Sequence, residues 1–521
     1  LTFDPSIWFS AHAPHDLVWR RRALLLIAGA AVFRLLCLLL VPMQLVPDEA
    51  YYWDWSRQLA WCYYSKPPMV AWLIAGATHL LGTAEWSVRL PAALLNIVTL
   101  GALYLLGARM FSRAVGFLAA LAFVVTPATF ASGFFMTIDA PLLCAWAVAL
   151  LCTWHALHAA RAATGWWLGA GLAVAAGIFS KQMMLLFPLL LVIFIALHRA
   201  YWPVLRRASF YLVPLCAVLA LVPLLWWNAQ HDWVMLQHTA GHFQSTRPWY
   251  AFGLSWLHFI GTQAGLISPL LWLLLVAVGL LTLRHYQAVP PAARFLAVFS
   301  IVPLAAIMLL SLRQRILPNW PAVFYVAGAV LAAAAVADAF SLRTRTHLWA
   351  RVFPWALAVG AVEIVGALLV VAVIGLTGRG ERMLEKELSG WRTLGAAVHA
   401  AAQTLPKPAT TMLMAFDRGL TAELAFYVPG RPQVYHWTLD IVVWSQYGVW
   451  MNQGFDQDKR GWDALIVAGD RQRLPFETNR FARVAYLCDI RLAQGSRVYK
   501  LYHATDLRHW PALHYRLHPH K

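Results

Sequence analysis

The sequence predicts a polytopic α-helical membrane protein with a small soluble α/β domain at its C-terminal end. Of its 521 residues, 61% are hydrophobic and only 12% charged, and the mean hydropathy is +0.60, too apolar for a soluble chain of this size. Apolar runs close to the length of a bilayer core recur through residues 1–378. After Gly378-Arg-Gly the charged residues return and the pattern changes.

The expected spans cover residues 23–43, 89–107, 113–132, 140–158, 166–180, 183–198, 208–228, 263–283, 294–312, 318–338 and 352–376. That is about eleven, in a range of roughly 11–13, each judged against the ~20 residues a helix needs to cross. Met69–Gly82 is shorter and interrupted by His79, which predicts an interfacial or re-entrant helix in an outer loop spanning 44–88. The +18 formal charge does not point to nucleic acid, because most cations lie in short loops between spans. Alternating those loops places Arg20, Arg21, Arg22, Arg109, Arg113, Arg161, Arg199, Arg206, Arg207, Arg284, Arg294, Arg343, Arg345 and Arg351 on one side, cytoplasmic by the positive-inside rule. The loops 44–88, 133–139, near 181, 229–262 and 312–317 then face outward, with everything after 379.

Leu1–Arg22 is aromatic and polar with its basic cluster directly before the first span, which predicts a signal anchor rather than a cleaved leader. Cys37, Cys144, Cys152 and Cys216 fall in spans, leaving Cys62 and Cys488 as the only outer pair, and no Cys/His spacing suggests zinc. Residues 379–521 predict a periplasmic α/β unit, with an amphipathic helix over 381–403 and strands near 410–416, 433–437, 463–468, 482–490 and 496–503.

The outer loops hold the chemistry. Asp48 and Glu49 follow Pro47 at the membrane edge, where a carboxylate can act as a general base; the structural alternative is that Asp48 caps a helix over 50–60. Lys66 precedes Pro67-Pro68, so a stiff loop presents its ammonium to a phosphate or to lipid headgroups in general. Asp139 stands two residues before Pro141 at a span entrance, as a catalytic acid or a cap. Lys181 lies in a very short turn, where a cation needs an anionic partner or water. Arg313 and Arg315 can grip phosphate oxygens bidentately beside Asn319 and Trp320, an amide and an aromatic suited to sugar contact. Tyr51, Tyr52, Asp54 and Tyr64 complete the acceptor or sugar candidates, with an interfacial belt as the plainer reading of the aromatics. Within predicted spans, Arg34 and Glu363 are functional candidates, with pairing to one another or to backbone as the equal alternative.

Together these elements resemble GT-C polyprenyl-phosphate-sugar glycosyltransferases. Pro47-Asp48-Glu49, Tyr64-Ser65-Lys66-Pro67-Pro68, Ile138-Asp139-Ala-Pro141, Ser180-Lys181 and Arg315-Ile-Leu-Pro318-Asn-Trp follow the order of that group. They look most like bacterial relatives of the lipid A aminoarabinose transferase, within the wider group that includes protein O-mannosyltransferases. The resemblance implies Asp48 as base or acceptor organiser, Asp139 as a second acid, and Lys66, Lys181 and Arg315 near the donor phosphate. It implies a polyprenyl-phosphate-linked sugar donor, an outer-face glycolipid such as lipid A or lipopolysaccharide, and a bacterial inner-membrane location with a periplasmic active site. No cofactor is certain, though the resemblance admits a divalent cation. Ser65 stands where the aminoarabinose enzyme has a glutamate, a departure that bears on both acceptor and metal. The Leu424–Gly430 and Ser445–Trp450 segments resemble the outer domain of that branch, and their aromatics either stack on sugar or form core. A protein acceptor is the alternative substrate. A lipid-linked transporter is the alternative class, but it calls for repeat symmetry, and the sequence shows no internal repeat.

Overall fold

The computed structural model describes residues 15–41, 43–159, 163–242, 252–314, 316–340, 346–377, 388–438, 442–470, 480–492 and 497–515. The chain divides into two compact units, one comprising Leu1–Leu40, Arg89–Pro223 and Phe243–Leu369, the other Val41–Val88, Leu224–His242 and Val370–Lys521. The second unit therefore takes in the 44–88 segment and part of 229–262 as well as the C-terminal residues.

This is a mostly helical, multi-pass membrane protein. Among the described residues, 7 helices are long and apolar enough to cross a bilayer, or up to 8 if the bent pair Gly253–Ile267 and Pro269–Arg284 is one span. Arg113–Val124, Gln182–Leu197 and Trp320–Val336 are shorter apolar helices standing where further spans are expected. The breaks have local causes. Thr126 precedes Pro127, and the helix restarts there with proline in its first turn, where no N–H is needed. Ser268 at φ 79 separates the bent pair, whose axes turn by 108° before Pro269. Apolar runs that look continuous in sequence are thus cut where a proline begins a new helix. Met69–Leu81, with 13 residues, is too short to span.

The first helix of the 44–88 segment is Pro47–Ser56, starting earlier than the 50–60 expected. Asp48 does not cap it. Val46 is the N-cap residue, and the Glu49 carboxylate accepts the Val46 N–H at 3.2 Å, so the acid three residues on closes the helix start. Asp48 is left free of the capping role and exposed.

In the second unit, strands β1 (Thr411–Ala415), β2 (Val434–His436), β3 (Asp463–Gly469), β4 (Phe481–Arg491) and β5 (Val498–Leu507) form a sheet in the order β2-β1-β3-β5-β4. β1 pairs in parallel with β2 and β3, while β5 runs antiparallel to β3 and β4. The central β3 reads as an unbroken apolar run because both its faces are covered. β4 closes one edge with Arg483, Asp489 and Arg491, which discourage further strand pairing. The helix Arg418–Tyr427 connects β1 to β2, with Asp417 accepting from Gly419 N at 2.8 Å and Leu420 N at 3.2 Å. It packs against the helix Trp391–Gln403 at Gly395, where a Cβ would come within 2.5 Å of the Tyr427 carbonyl oxygen. The sheet core gathers Met412, Met414, Trp437, Ile466, Phe481 and Trp510. All five strands match the expected segments; residues 381–387 of the expected amphipathic helix lie outside the described residues.

Candidate functional site

In the membrane unit, Lys181 lies at a forced break. The helix Ala163–Ser180 ends there, and Lys181 adopts an extended backbone, φ −160° and ψ 140°, before the 3-10 turn Gln182–Leu185. Gly177 allows this turn to fold close, since a Cβ on it would lie 2.5 Å from Met184 Cγ. The lysine is 6% exposed, and its Nζ donates to Asp139 Oδ1 at 2.7 Å. Asn319 Nδ2 donates to the other oxygen, Asp139 Oδ2, also at 2.7 Å. Three distant segments thus converge on one carboxylate, and both oxygens of Asp139 are engaged. Asp139 is the first residue of the helix Asp139–His158, after Ile138 at the N-cap, so its charge also lies at the favourable end of the helix dipole.

Arg313 ends the helix Pro291–Arg313 with an exposed side chain, and Trp320 is half-buried at the start of a 3-10 turn. Arg315 lies outside the described residues. Arg34, 2% exposed, donates to Ala30 O at 3.4 Å. Its Nε and Nη2, and Glu363 Oε2, are buried without hydrogen-bond partners. Gly133 lies against Arg34 and Asn96, with a Cβ position 2.8 Å from each side chain.

In the second unit, Asp48 meets Arg418, which the sequence reading missed. Arg418 Nη2 donates to Asp48 Oδ1 at 2.7 Å, and its guanidinium lies 4.7 Å from the Tyr51 ring centre. Asp48 remains 51% exposed and Arg418 42% exposed, so the carboxylate is oriented yet accessible. Lys66 is half-buried in a turn whose carbonyl accepts the Tyr63 N–H at 3.1 Å.

The aromatic block is packed inside protein. Tyr51 is 1%, Tyr52 6% and Tyr64 4% exposed. The Gln446 N–H donates to Tyr51 Oη at 2.6 Å, and Gln446 Oε1 accepts the Tyr64 N–H at 2.8 Å, so one glutamine links two stretches of the 44–88 segment to the C-terminal part of the same unit. Tyr51 also packs on Trp55 and Tyr447, at 4.8 and 5.3 Å between ring centres. Asp54, 1% exposed, pairs with Arg57 at 3.0 Å. Burial pushes its carboxyl up to about 6 against the opposing pull of Arg57, and Oδ2 lacks a partner of standard geometry. Glu49 is fully buried at the helix start.

Among the described residues, no three His, Cys, Asp or Glu side chains are grouped to hold a metal ion. Cys62 and Cys488 are both free.

The architecture matches solved structures. ArnT from Cupriavidus metallidurans, without ligand, superposes with a TM-score of 0.61 at 17% identity, covering 92% of this chain and 97% of that one. The fold of this chain is that of ArnT. The same ArnT bound to undecaprenyl phosphate gives a TM-score of 0.61 at 18% identity, with 92% and 97% covered. The oligosaccharyltransferase of Archaeoglobus fulgidus gives 0.50 at 12% identity, over 86% of this chain and 69% of that one. In sequence, the family described as dolichyl-phosphate-mannose-protein mannosyltransferase matches residues 65–227 of this chain. Lipid A galacturonosyltransferase RgtD of Rhizobium johnstonii is 29% identical over 317 residues, or 60% of this chain. That match spans 65% of the length of RgtD.

Proposed function

We propose that this chain is an integral-membrane glycosyltransferase that moves one sugar from a polyprenyl phosphate to an acceptor outside the inner membrane, a glycolipid such as lipid A, with inversion at the anomeric carbon. The observation that carries the proposal is the Lys181–Asp139–Asn319 cluster, a buried ammonium held by an acid whose two oxygens are both occupied. A carboxylate so engaged is poorly placed to accept a proton. Asp139 is therefore a positioning residue, and Lys181 the cation that stabilises charge on the departing phosphate.

Asp48 takes the part of general base. Its exposed carboxylate accepts the proton of the acceptor hydroxyl as the hydroxyl oxygen bonds to the anomeric carbon and the carbon–phosphate-oxygen bond breaks. The electron pair of that bond leaves with the polyprenyl phosphate. Attack from the face opposite the leaving group inverts the configuration. The glycolipid acceptor is supported by the 29% identity to a protein named a lipid A galacturonosyltransferase. The dolichyl-phosphate-mannose-protein mannosyltransferase match over 65–227 favours a protein acceptor as the second reading. Mass spectrometry of lipid A, core glycolipid and glycoproteins from cells with and without the gene separates the two. A missing hexose or uronic acid on lipid A supports the first reading, and a missing sugar confined to glycoproteins replaces it with the second.

A further inference from the structure

A cavity of about 250 Å³ opens in the second unit, between the end of the helix Pro47–Ser56 and the C-terminal sheet. By volume it would hold roughly eight waters, the scale of one sugar ring with part of its hydration. None of the residues given a part in transfer lines it. Its walls combine aromatic rings with side-chain amides: Tyr435, Tyr447 and Trp450 with Gln58, Gln433 and Gln453. The rings are fixed by one another, Tyr447 meeting Trp450 edge-on at 5.7 Å and Tyr435 tilted on Phe455 at 4.9 Å. Gln58 Nε2 donates to Gln433 Oε1 at 3.4 Å, a long bond that leaves the Gln433 amide nitrogen and the Gln58 carbonyl with capacity to spare.

This lining suits a carbohydrate. The apolar C–H face of a pyranose stacks on an aromatic ring, while an amide offers a donor and an acceptor to neighbouring hydroxyls. An acyl chain would leave those amides unpaired, at a cost in free energy. A lone phosphate would meet Asp458 beside Lys459 at the rim. A second cavity of about 370 Å³ shares Gln433, Tyr435 and Lys459 with the first, so the surface continues beyond one ring. We infer that this cavity is a saccharide-binding subsite, taking one neutral hexose or hexosamine unit of a longer glycan on the rings of Trp450 and Tyr435.

The test uses full-length protein in detergent micelles, with saturation-transfer NMR against β(1→6)-linked glucosamine disaccharide, lactose and α-mannobiose as probes. At least one disaccharide is expected to receive magnetisation at its ring protons. Trp450→Ala should weaken that binding about tenfold, the scale of one lost aromatic contact, and Trp450→Phe should restore most of it. Gln453 is exposed, so Gln453→Ala should leave folding intact and still weaken binding several-fold. The inference is overturned if none of the probes binds, or if binding is unchanged in both Trp450→Ala and Gln453→Ala. Sugar transfer is measured on the same preparation; its absence with disaccharide binding intact counts against the transfer reaction and leaves the subsite standing.

Discussion

Removing either partner of the Asp139–Lys181 pair should cost far more stability than removing both. The two side chains are 13% and 7% exposed and 2.7 Å apart, so solvent screens them little. Asp139→Asn leaves a buried ammonium without its counter-charge, and Lys181→Met leaves a buried carboxylate with only Asn319 as a donor. Breaking a buried pair from one side typically costs about 3–5 kcal/mol, whereas replacing both charges is often neutral. The double variant Asp139→Asn/Lys181→Met should therefore recover at least about 2 kcal/mol of the summed single losses. Thermal unfolding in one detergent at one scan rate reads this as two strongly lowered midpoints and a double variant lying above the sum. Additive losses would refute the pairing. Transfer activity separates structure from chemistry, since the double variant should regain stability while remaining inactive without its cation.

Asp48→Asn should abolish transfer with an unchanged unfolding midpoint, because an exposed pair such as Asp48–Arg418 contributes only about 0–1 kcal/mol; residual activity near wild type would remove Asp48 as base. Arg418→Gln should keep the fold and lower transfer about tenfold by releasing the carboxylate's orientation, and full activity would show that Arg418 has no positioning role. Asp54 gives a pH signature. Its carboxyl is raised from 3.8 to about 6 on folding, so the folded state holds the proton more tightly and stability falls as pH rises through 4 to 6, then levels. Asp54→Asn should flatten that fall and raise the midpoint at pH 8 above wild type; an unchanged pH profile would contradict the buried placement. Gly395→Ala should destabilise the second unit by about 2–3 kcal/mol, because the nearest atoms are unyielding backbone of Tyr427. Gly76→Ala, with nothing within 4 Å, should be neutral or stabilising by up to about 1 kcal/mol, and equal effects would overturn the packing argument.

Long-period hydrophobicity and strand alternation carried most of the fold. All the expected apolar segments reappear as helices, and the strands of the C-terminal sheet fall where alternating residues place them. Less legible were the breaks: the expected span 263–283 carries no charged residue and reads as one run, yet the helix bends within it at Ser268. Asp48 looked like a cap because capping is read from residue type, yet the cap closes through Glu49 and leaves Asp48 outward. The convergence of Asp139, Lys181 and Asn319 was suggested only by their shared outer side. Arg418 gave no signal, since it lies 370 positions from Asp48 and Asp417-Arg-Gly reads only as a loop. The aromatics Tyr51, Tyr52 and Tyr64 resembled a surface belt because sequence cannot tell a membrane interface from a covered protein face.

The most direct measurement is reconstitution of purified protein in lipid nanodiscs with a synthetic undecaprenyl-phosphate sugar and lipid A, reading the product by mass and by the anomeric coupling in NMR. The account predicts a single added sugar with inverted configuration, formed by wild type and lost in Asp48→Asn and Lys181→Met. A product of retained configuration, or transfer that proceeds undiminished in both variants, would contradict it.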